Sequence, residues 1–287
     1  MAYHVLNLGA GVQSTTLALL FAEEKILDSS GHPVNIHCAI FADTQEEPDD
    51  PGFSVRQHLM WLKNKLPFPI ITTTAGKLGD DLSRGCNSTG QKFASIPAFT
   101  FDGRKVSITR RQCTNEYKIR PIEKAIRDQV IRIRKGGRVP PSVRVYQYVG
   151  ISLDEVGRML KAKKNANHPR WATMVYPLCE QLMWTRQQCR EYLKDRVPHR
   201  VPRSACVFCP YHSNEEWKNI KSRNGDDWRR AVEVDRMLRV EGSVVNRNLD
   251  AKLYLHRSCK PLDEVDFSTD KNGDKNMAGE CQGMCGN

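Results

Sequence analysis

The 287 residues predict an α/β protein with a doubly wound, mostly parallel sheet of five strands and a smaller, cysteine-bearing helical region after it. Three observations predict this. Apolar runs and amphipathic segments alternate as strand, helix, strand, helix, strand over the first 75 residues. Such alternation predicts parallel strands joined by right-handed crossovers. Several strand-like runs end in polar residues, as expected where an open sheet binds ligands. Past Arg196 the chain changes character: Pro198, Pro202 and Pro210 break it up, and Cys206 and Cys209 fall among them.

Val5, Leu6 and Leu8 read as the end of the first strand. Gly9 and Gly11 allow a tight turn and close approach of a ligand to the backbone. Ser14, Thr15 and Thr16 then open a helix whose apolar run is Leu17 to Leu20. A strand, a glycine turn and a helix N-terminus point N–H groups and a helix dipole at one spot, which suits phosphate or sulfate. An ordinary βα turn also favours Gly and Ser, so the stretch alone leaves both readings open.

The run 35–42 predicts a second strand, ending at Asp43 and Thr44. Phe53 to Lys65 predicts a helix, with Val55, Leu59 and Leu62 at helical spacing. Phe68 to Thr73 predicts the third strand. Glycines and Pro97 interrupt residues 76–107, which read as loops and short helices. A basic helix is expected over Lys118–Arg134, a fourth strand over Arg144–Gly150 and a fifth over Thr173–Leu178. Thr185 is placed to cap a helix through Lys194, and two polar helices are expected at Asn214–Lys221 and Asp226–Val240. The expected division is a nucleotide-binding domain over 1–180 and a helical, cysteine-bearing region over 181–287.

No apolar run approaches the roughly 18 residues of a membrane span, and no secretory leader pattern opens the chain. A cytoplasmic location is the resulting expectation. The net charge of +11 favours an anionic partner, such as a nucleic acid, a nucleotide or a sulfated metabolite. Arg110, Arg111, Lys118, Arg120, Arg158, Arg200 and Arg203 supply donors for such a partner, although any one of them could be a solvated charge.

Ten cysteines are many for a reducing compartment, where metal or redox chemistry is a better expectation than disulfides. Cys38 and Cys189 lie in apolar patterns and read as packing residues. Cys206-Val207-Phe208-Cys209-Pro210 is the strongest chemical signal: two thiolates three apart can hold a metal or a cluster edge, or act as a redox dithiol. As half of a zinc site, the pair would need a second, which Cys281 and Cys285 could supply. Cys113 lies beside Arg110, Arg111 and Lys118, which favour its thiolate.

In this order the segments resemble the phosphoadenosine-phosphosulfate reductase-like family, within the adenine-nucleotide α-hydrolase-like (PP-loop) superfamily. Gly9, Gly11, Ser14 and Thr15 match its loop, with Gln13 where an acid is usual. Asp43-Thr44 matches the aspartate-threonine near the adenosine, and Gly150 to Glu155 with Arg158 matches the fourth-strand motif. Arg111-Gln112-Cys113 through Lys118-Ile119-Arg120-Pro121 is similar to the cysteine and lysine-x-x-proline segment of the iron–sulfur reductases, with one cysteine where those have two. Glu280-Cys281 is similar to the segment carrying the reductase nucleophile.

The resemblance implies a Rossmann-like sheet and a nucleotide site at Gly9, Gly11, Gln13, Ser14, Thr15, Asp43, Thr44, Gly150, Arg111, Lys118 and Arg158. It implies a four-iron four-sulfur cluster on Cys113, Cys206 and Cys209, with Cys285 or Cys281 as a further ligand. It also implies Cys281 as catalytic thiol, with either adenylyl sulfate or ATP as substrate. A reductase would draw on a thioredoxin-like dithiol. An ATP-dependent sulfurtransferase would act on tRNA or DNA with a cysteine desulfurase as sulfur donor. A homo-oligomer is expected in either case. The alternative is a non-enzymatic, zinc-stabilised module that binds nucleotide or nucleic acid.

Overall fold

The computed structural model describes residues 1–85, 96–109, 111–164, 168–240 and 252–268. Five parallel strands form one sheet in the order β3-β2-β1-β6-β7. They are β1 (Ala2–Asn7), β2 (Cys38–Asp43), β3 (Ile70–Thr74), β6 (Arg144–Val149) and β7 (Ala172–Val175). Each strand alternates its side chains between two faces. Leu6, Leu8, Ala39 and Phe41 join one core with α1 (Val12–Ala22), α2 (Val55–Lys65) and α7 (Arg186–Lys194). Val5, Cys38, Ile40 and Ala42 join another, covered by Ile122, Ala125 and Ile126 of α4 (Arg120–Ala125) and the turn after it. Helices on both faces of a parallel sheet make the fold doubly wound and Rossmann-like.

The chain leaves β1 toward β2 and β3, then returns to the opposite side of β1 to form β6 and β7. Strand order therefore reverses between β1 and β6. Loops leaving two such strands diverge, and the crevice between them is where open α/β sheets bind ligands. Here those loops are residues 8–11 and 150–155.

The second strand is shorter at its start than the expected 35–42, and three other boundaries differ from the sequence expectation for a backbone reason. The third strand starts at Ile70, because Pro67 and Pro69 have no N–H to donate to the ladder. The fifth ends at Val175, because Pro177 opens the short helix α6 (Pro177–Glu180) at a position suited to its fixed φ. The expected basic helix becomes α4 flanked by π-turns over Asn115–Ile119 and Ile126–Val130, ending before the left-handed Arg132. Pro121 removes one helical donor, and one of the two wide turns lies just before it.

The interrupted stretch after β3 holds a short helix, α3 (Leu78–Arg84), as expected, and also an antiparallel hairpin of β4 (Phe99–Phe101) and β5 (Val106–Ile108) that the sequence pattern did not anticipate. Both pack with the C-terminal region. Leu78, Leu82, Ile96, Ala98 and Tyr117 share a second core with Phe208, Trp217, Trp228, Leu255 and Phe267. Its helices are α8 (Asn214–Arg223), started by a Ser213–Glu216 capping box, and α9 (Asp226–Arg239). Buried Asp235 on α9 accepts the backbone N–H groups of Leu255 and Leu262, which ties the 252–268 segment to it. The first core continues past residue 180: Cys189, Leu193 and Val197 pack with Leu17 and Leu20. No helix among the described residues is long and apolar enough to cross a membrane.

Candidate functional site

Helix α1 is buried from Val12 to Phe21, including four polar residues at its start, Gln13, Ser14, Thr15 and Thr16. A fully buried helix is normally apolar all round, so each polar group here needs a partner. Ser14 Oγ accepts from Gly11 N at 3.2 Å, and Gly11 O accepts from Thr15 N at 2.9 Å. Gln13 Nε2 donates to Ser152 Oγ at 3.1 Å and to Glu155 Oε2 at 2.5 Å. Glu155 in turn pairs with Arg158. Gln13 thus serves as a donor that joins α1 to the loop after β6, a role an acid at this position could not fill in its ionised form.

Within this loop the left-handed backbone position falls on Ala10, with φ 57°, and not on a glycine. A non-glycine residue in this region stores about 1 kcal/mol or more of strain. Gly150 meets a different constraint. A Cβ there would lie 2.8 Å from Ser14 N and 2.9 Å from Gln13 C, so only glycine lets the end of β6 close against the start of α1.

Two histidines that no sequence motif marks complete the surroundings of Thr15. Thr15 Oγ1 lies 2.8 Å from His58 Nε2, and His58 Nδ1 lies 2.8 Å from His199 Nε2. Burial, with His199 beside it, pushes the His58 pKa down to about 3, so its ring stays neutral. Trp61 stacks on the His58 ring and meets His199 edge-on. The available signal was a polar residue on the buried stripe Val55, Leu59, Leu62 of α2.

The second grouping lies at the C-terminal end of β2. Cys113, Cys206 and Cys209 line one pocket with Thr44, Arg111, Lys118, Phe208 and Pro210. The Cys206–Cys209 turn is closed by Cys209 N donating to Cys206 O at 2.9 Å, and Val207 N anchors it to Glu46 O at 2.8 Å. Thr44 Oγ1 lies 3.2 Å from Cys206 Sγ. Lys118, presented by the π-turn, donates to Glu47 at 3.1 Å in an ion pair whose side chains are each 6% exposed. Arg111 stacks over Tyr211 at 4.6 Å. Burial and the nearby Glu47 carboxylate push the Cys206 thiol well above its ordinary pKa, against the pull of Lys118. Cys38 also behaves as a packing thiol, pushed up to about 11 by burial within β2.

The expected nucleotide residues thus divide between two groupings. Gly9, Gly11, Gln13, Ser14 and Thr15 form the loop, Gly150 closes on it and Arg158 reaches it through Glu155. Thr44, Arg111 and Lys118 instead line the cysteine pocket. Asp43 lines neither: it caps the turn after β2, accepting from Gln45 N at 2.7 Å. Cys281 and Cys285 lie outside the described residues, as do Cys86 and Arg110.

No protein-family model, no curated protein and no solved structure matches the chain. Its own geometry therefore carries the functional argument. Three soft sulfur donors beside the Arg111 guanidinium are the donor type that thiolate-bound metal groups use, while the Lys118 charge is already balanced by Glu47. The described residues bring no three His, Cys, Asp or Glu side chains together tightly enough for one metal ion. The pocket these residues line, about 20 Å³, has room for one or two waters, so loading a larger group would widen it.

Proposed function

We propose that the protein is a sulfur-handling enzyme of the phosphoadenosine-phosphosulfate reductase-like type, which binds an adenine nucleotide at the β1–α1 loop and a four-iron four-sulfur cluster at the cysteine pocket. One observation carries the reading. Cys113 and the Cys206–Cys209 pair, more than ninety positions apart in the chain, line a single pocket at the sheet edge that also holds the glycine loop.

In this reading Cys113, Cys206 and Cys209 hold the cluster, which when bound supplies a store of sulfur or electrons. Loading requires the thiols to lose their protons, and the raised Cys206 pKa makes it pH-dependent. The nucleotide's phosphates lie over the 9–11 turn, and binding redirects donors that are engaged within the protein, Gly11 N on Ser14 Oγ and Thr15 Oγ1 on His58. Neutral His58 orients the Thr15 hydroxyl.

With adenylyl sulfate as substrate, the Cys281 thiolate attacks sulfur, the S–O bond to the nucleotide breaks and the nucleotide phosphate leaves. An external dithiol then releases sulfite and is oxidised to a disulfide. With ATP as substrate, the loop holds the triphosphate while an acceptor carbonyl oxygen attacks the α-phosphate and pyrophosphate leaves. A sulfur nucleophile then displaces AMP.

Anaerobic reconstitution tests the cluster. Iron with acid-labile sulfide is expected, and Cys113→Ser should lose most of the brown colour. One zinc without sulfide would replace this reading with the structural-zinc module. Adenylyl sulfates with thioredoxin, assayed for sulfite, then separate the two chemistries. Sulfite supports the reductase, whereas AMP formed from ATP only when nucleic acid is present supports the sulfurtransferase.

A further inference from the structure

A second, larger cavity opens beside the loop, about 510 Å³ in volume, between α7, the 197–203 segment and α8. Val12, the first residue of α1, is part of its wall. So are Arg186, Arg190, Lys194, Arg200, Arg203 and Arg223. Two acidic residues also line it, Glu215 and Glu216. Glu216 is engaged by Arg203 and by the cap of α8, and Arg223 is engaged by Asp50 and Asp227. Arg190, Lys194 and Arg200 are exposed on the remaining wall. The cavity therefore keeps a surplus of positive charge, and it is an open groove that reaches the start of α1 at Val12.

The groove also has an aromatic element. Phe53 lines it, with the Arg200 guanidinium 5.1 Å and the Arg223 guanidinium 4.0 Å from its ring centre. Planar guanidinium and aromatic surfaces beside phosphate-binding arginines are the elements by which proteins hold unpaired nucleic-acid strands. An acidic peptide would use the charge but not the flat surfaces. His199 lines the groove too, and its contact with His58 runs on to Thr15, so the groove and the loop share one hydrogen-bonded chain.

We infer that this groove binds a single strand of nucleic acid, with its phosphates on Arg190, Lys194 and Arg200 and the strand leading toward the start of α1. The inference rests on the reading of the loop as an adenine-nucleotide site, since it makes the strand the acceptor for the chemistry done there. The 199–212 segment separates the groove from the cysteine pocket and contributes to both walls. A strand in the groove thus lies one segment away from the thiols.

The test uses the full chain with fluorescein-labelled single-stranded DNA and RNA oligonucleotides, read by anisotropy over a range of salt, with ATP affinity measured separately by equilibrium dialysis. Binding that weakens with salt is expected. The triple variant Arg190→Glu, Lys194→Glu, Arg200→Glu should bind about a hundredfold more weakly, with the log–log salt slope reduced by about 2. Its ATP affinity should stay within about twofold, because these exposed side chains do not build the loop. A preference for DNA or for RNA supports the inference equally and names the polymer. Three outcomes overturn it: no oligonucleotide binding by the unmodified protein, undiminished binding by the triple variant, or competition by polyglutamate as effective as that by oligonucleotide. Loss of ATP affinity in the triple variant also overturns it, by reassigning the groove to the nucleotide's own phosphates. Groove-dependent strand binding with no ATP binding at all would leave the inference standing and remove the loop's assignment instead.

Discussion

The glycine loop and the cysteine pocket share one edge of the sheet but are held together by different means. The loop is contiguous in sequence, and its buried polar groups are satisfied one by one: Gln13 by Ser152 and Glu155, Ser14 by Gly11, Thr15 by His58. The pocket is assembled from five distant segments around Thr44, Leu78, Ile96, Cys113 and Cys206, with apolar lining and the buried Lys118–Glu47 ion pair. A loop of the first kind tolerates little change in shape, because its backbone touches its neighbours directly. A pocket of the second kind tolerates shape change better but depends on charge balance in a place of low dielectric.

The largest expected effect tests that dependence. Lys118→Met leaves the Glu47 carboxylate buried without its cation, and should cost about 3–5 kcal/mol in urea unfolding. Adding Glu47→Gln should recover much of it. If the single variant costs less than about 1 kcal/mol, the pocket does not depend on this ion pair.

Gln13→Glu transfers the same stress to the loop. It sets a second carboxylate against Glu155 in a buried site and should cost about 3 kcal/mol at pH 8. The new carboxyl's pKa is raised in the folded state, so the native protein holds the extra proton. Stability relative to the unmodified protein should therefore recover as pH falls below that raised value, measured by urea midpoints across pH.

His58 gives a smaller, pH-dependent effect. Its folded pKa of about 3 lies below the ordinary 6.5, so between these values the unfolded chain holds a proton that the native one does not. The stability it contributes is complete above pH 6.5 and falls by about 1.4 kcal/mol per unit as pH drops, or about 2 kcal/mol by pH 5. His58→Gln should remove this slope. Persistence of the full slope in the variant would assign it to other groups.

Gly150→Ala is the most local of these changes, since the added methyl meets backbone that cannot swing aside; it should cost about 3 kcal/mol and be severe for the loop. The added methyl meets Ser14 N and the Gln13 carbonyl, so the start of α1 must shift. ATP affinity should fall while the cysteine pocket still loads, with brown colour as the measure. Equal loss of both would show the two regions to be one cooperative unit.

Much of this architecture was legible beforehand. The alternating apolar runs carry the parallel sheet, because a strand buried on both faces needs apolar residues throughout. The glycine turn followed by Ser14 and Thr15 marks the loop, and the C-x-x-C spacing marks a pair of thiols on one turn. These signals are local, so composition and spacing within a dozen residues suffice to read them. The same locality explains the misread edges, where Pro69, Pro121 and Pro177 moved boundaries by their missing N–H groups.

The partnerships were decided by tertiary structure alone. Nothing near Lys118 in sequence names Glu47, nothing near Thr15 names His58 or His199, and Thr44 gives no local sign that it faces Cys206 rather than the loop. The basic groove likewise gathers α7, the 197–203 segment and α8 beside Val12. Hydrogen bonds, ion pairs and thiol clusters act over a few ångströms between residues that chain connectivity leaves far apart. Only the strand order β3-β2-β1-β6-β7 and the packing of the second core bring them within that reach.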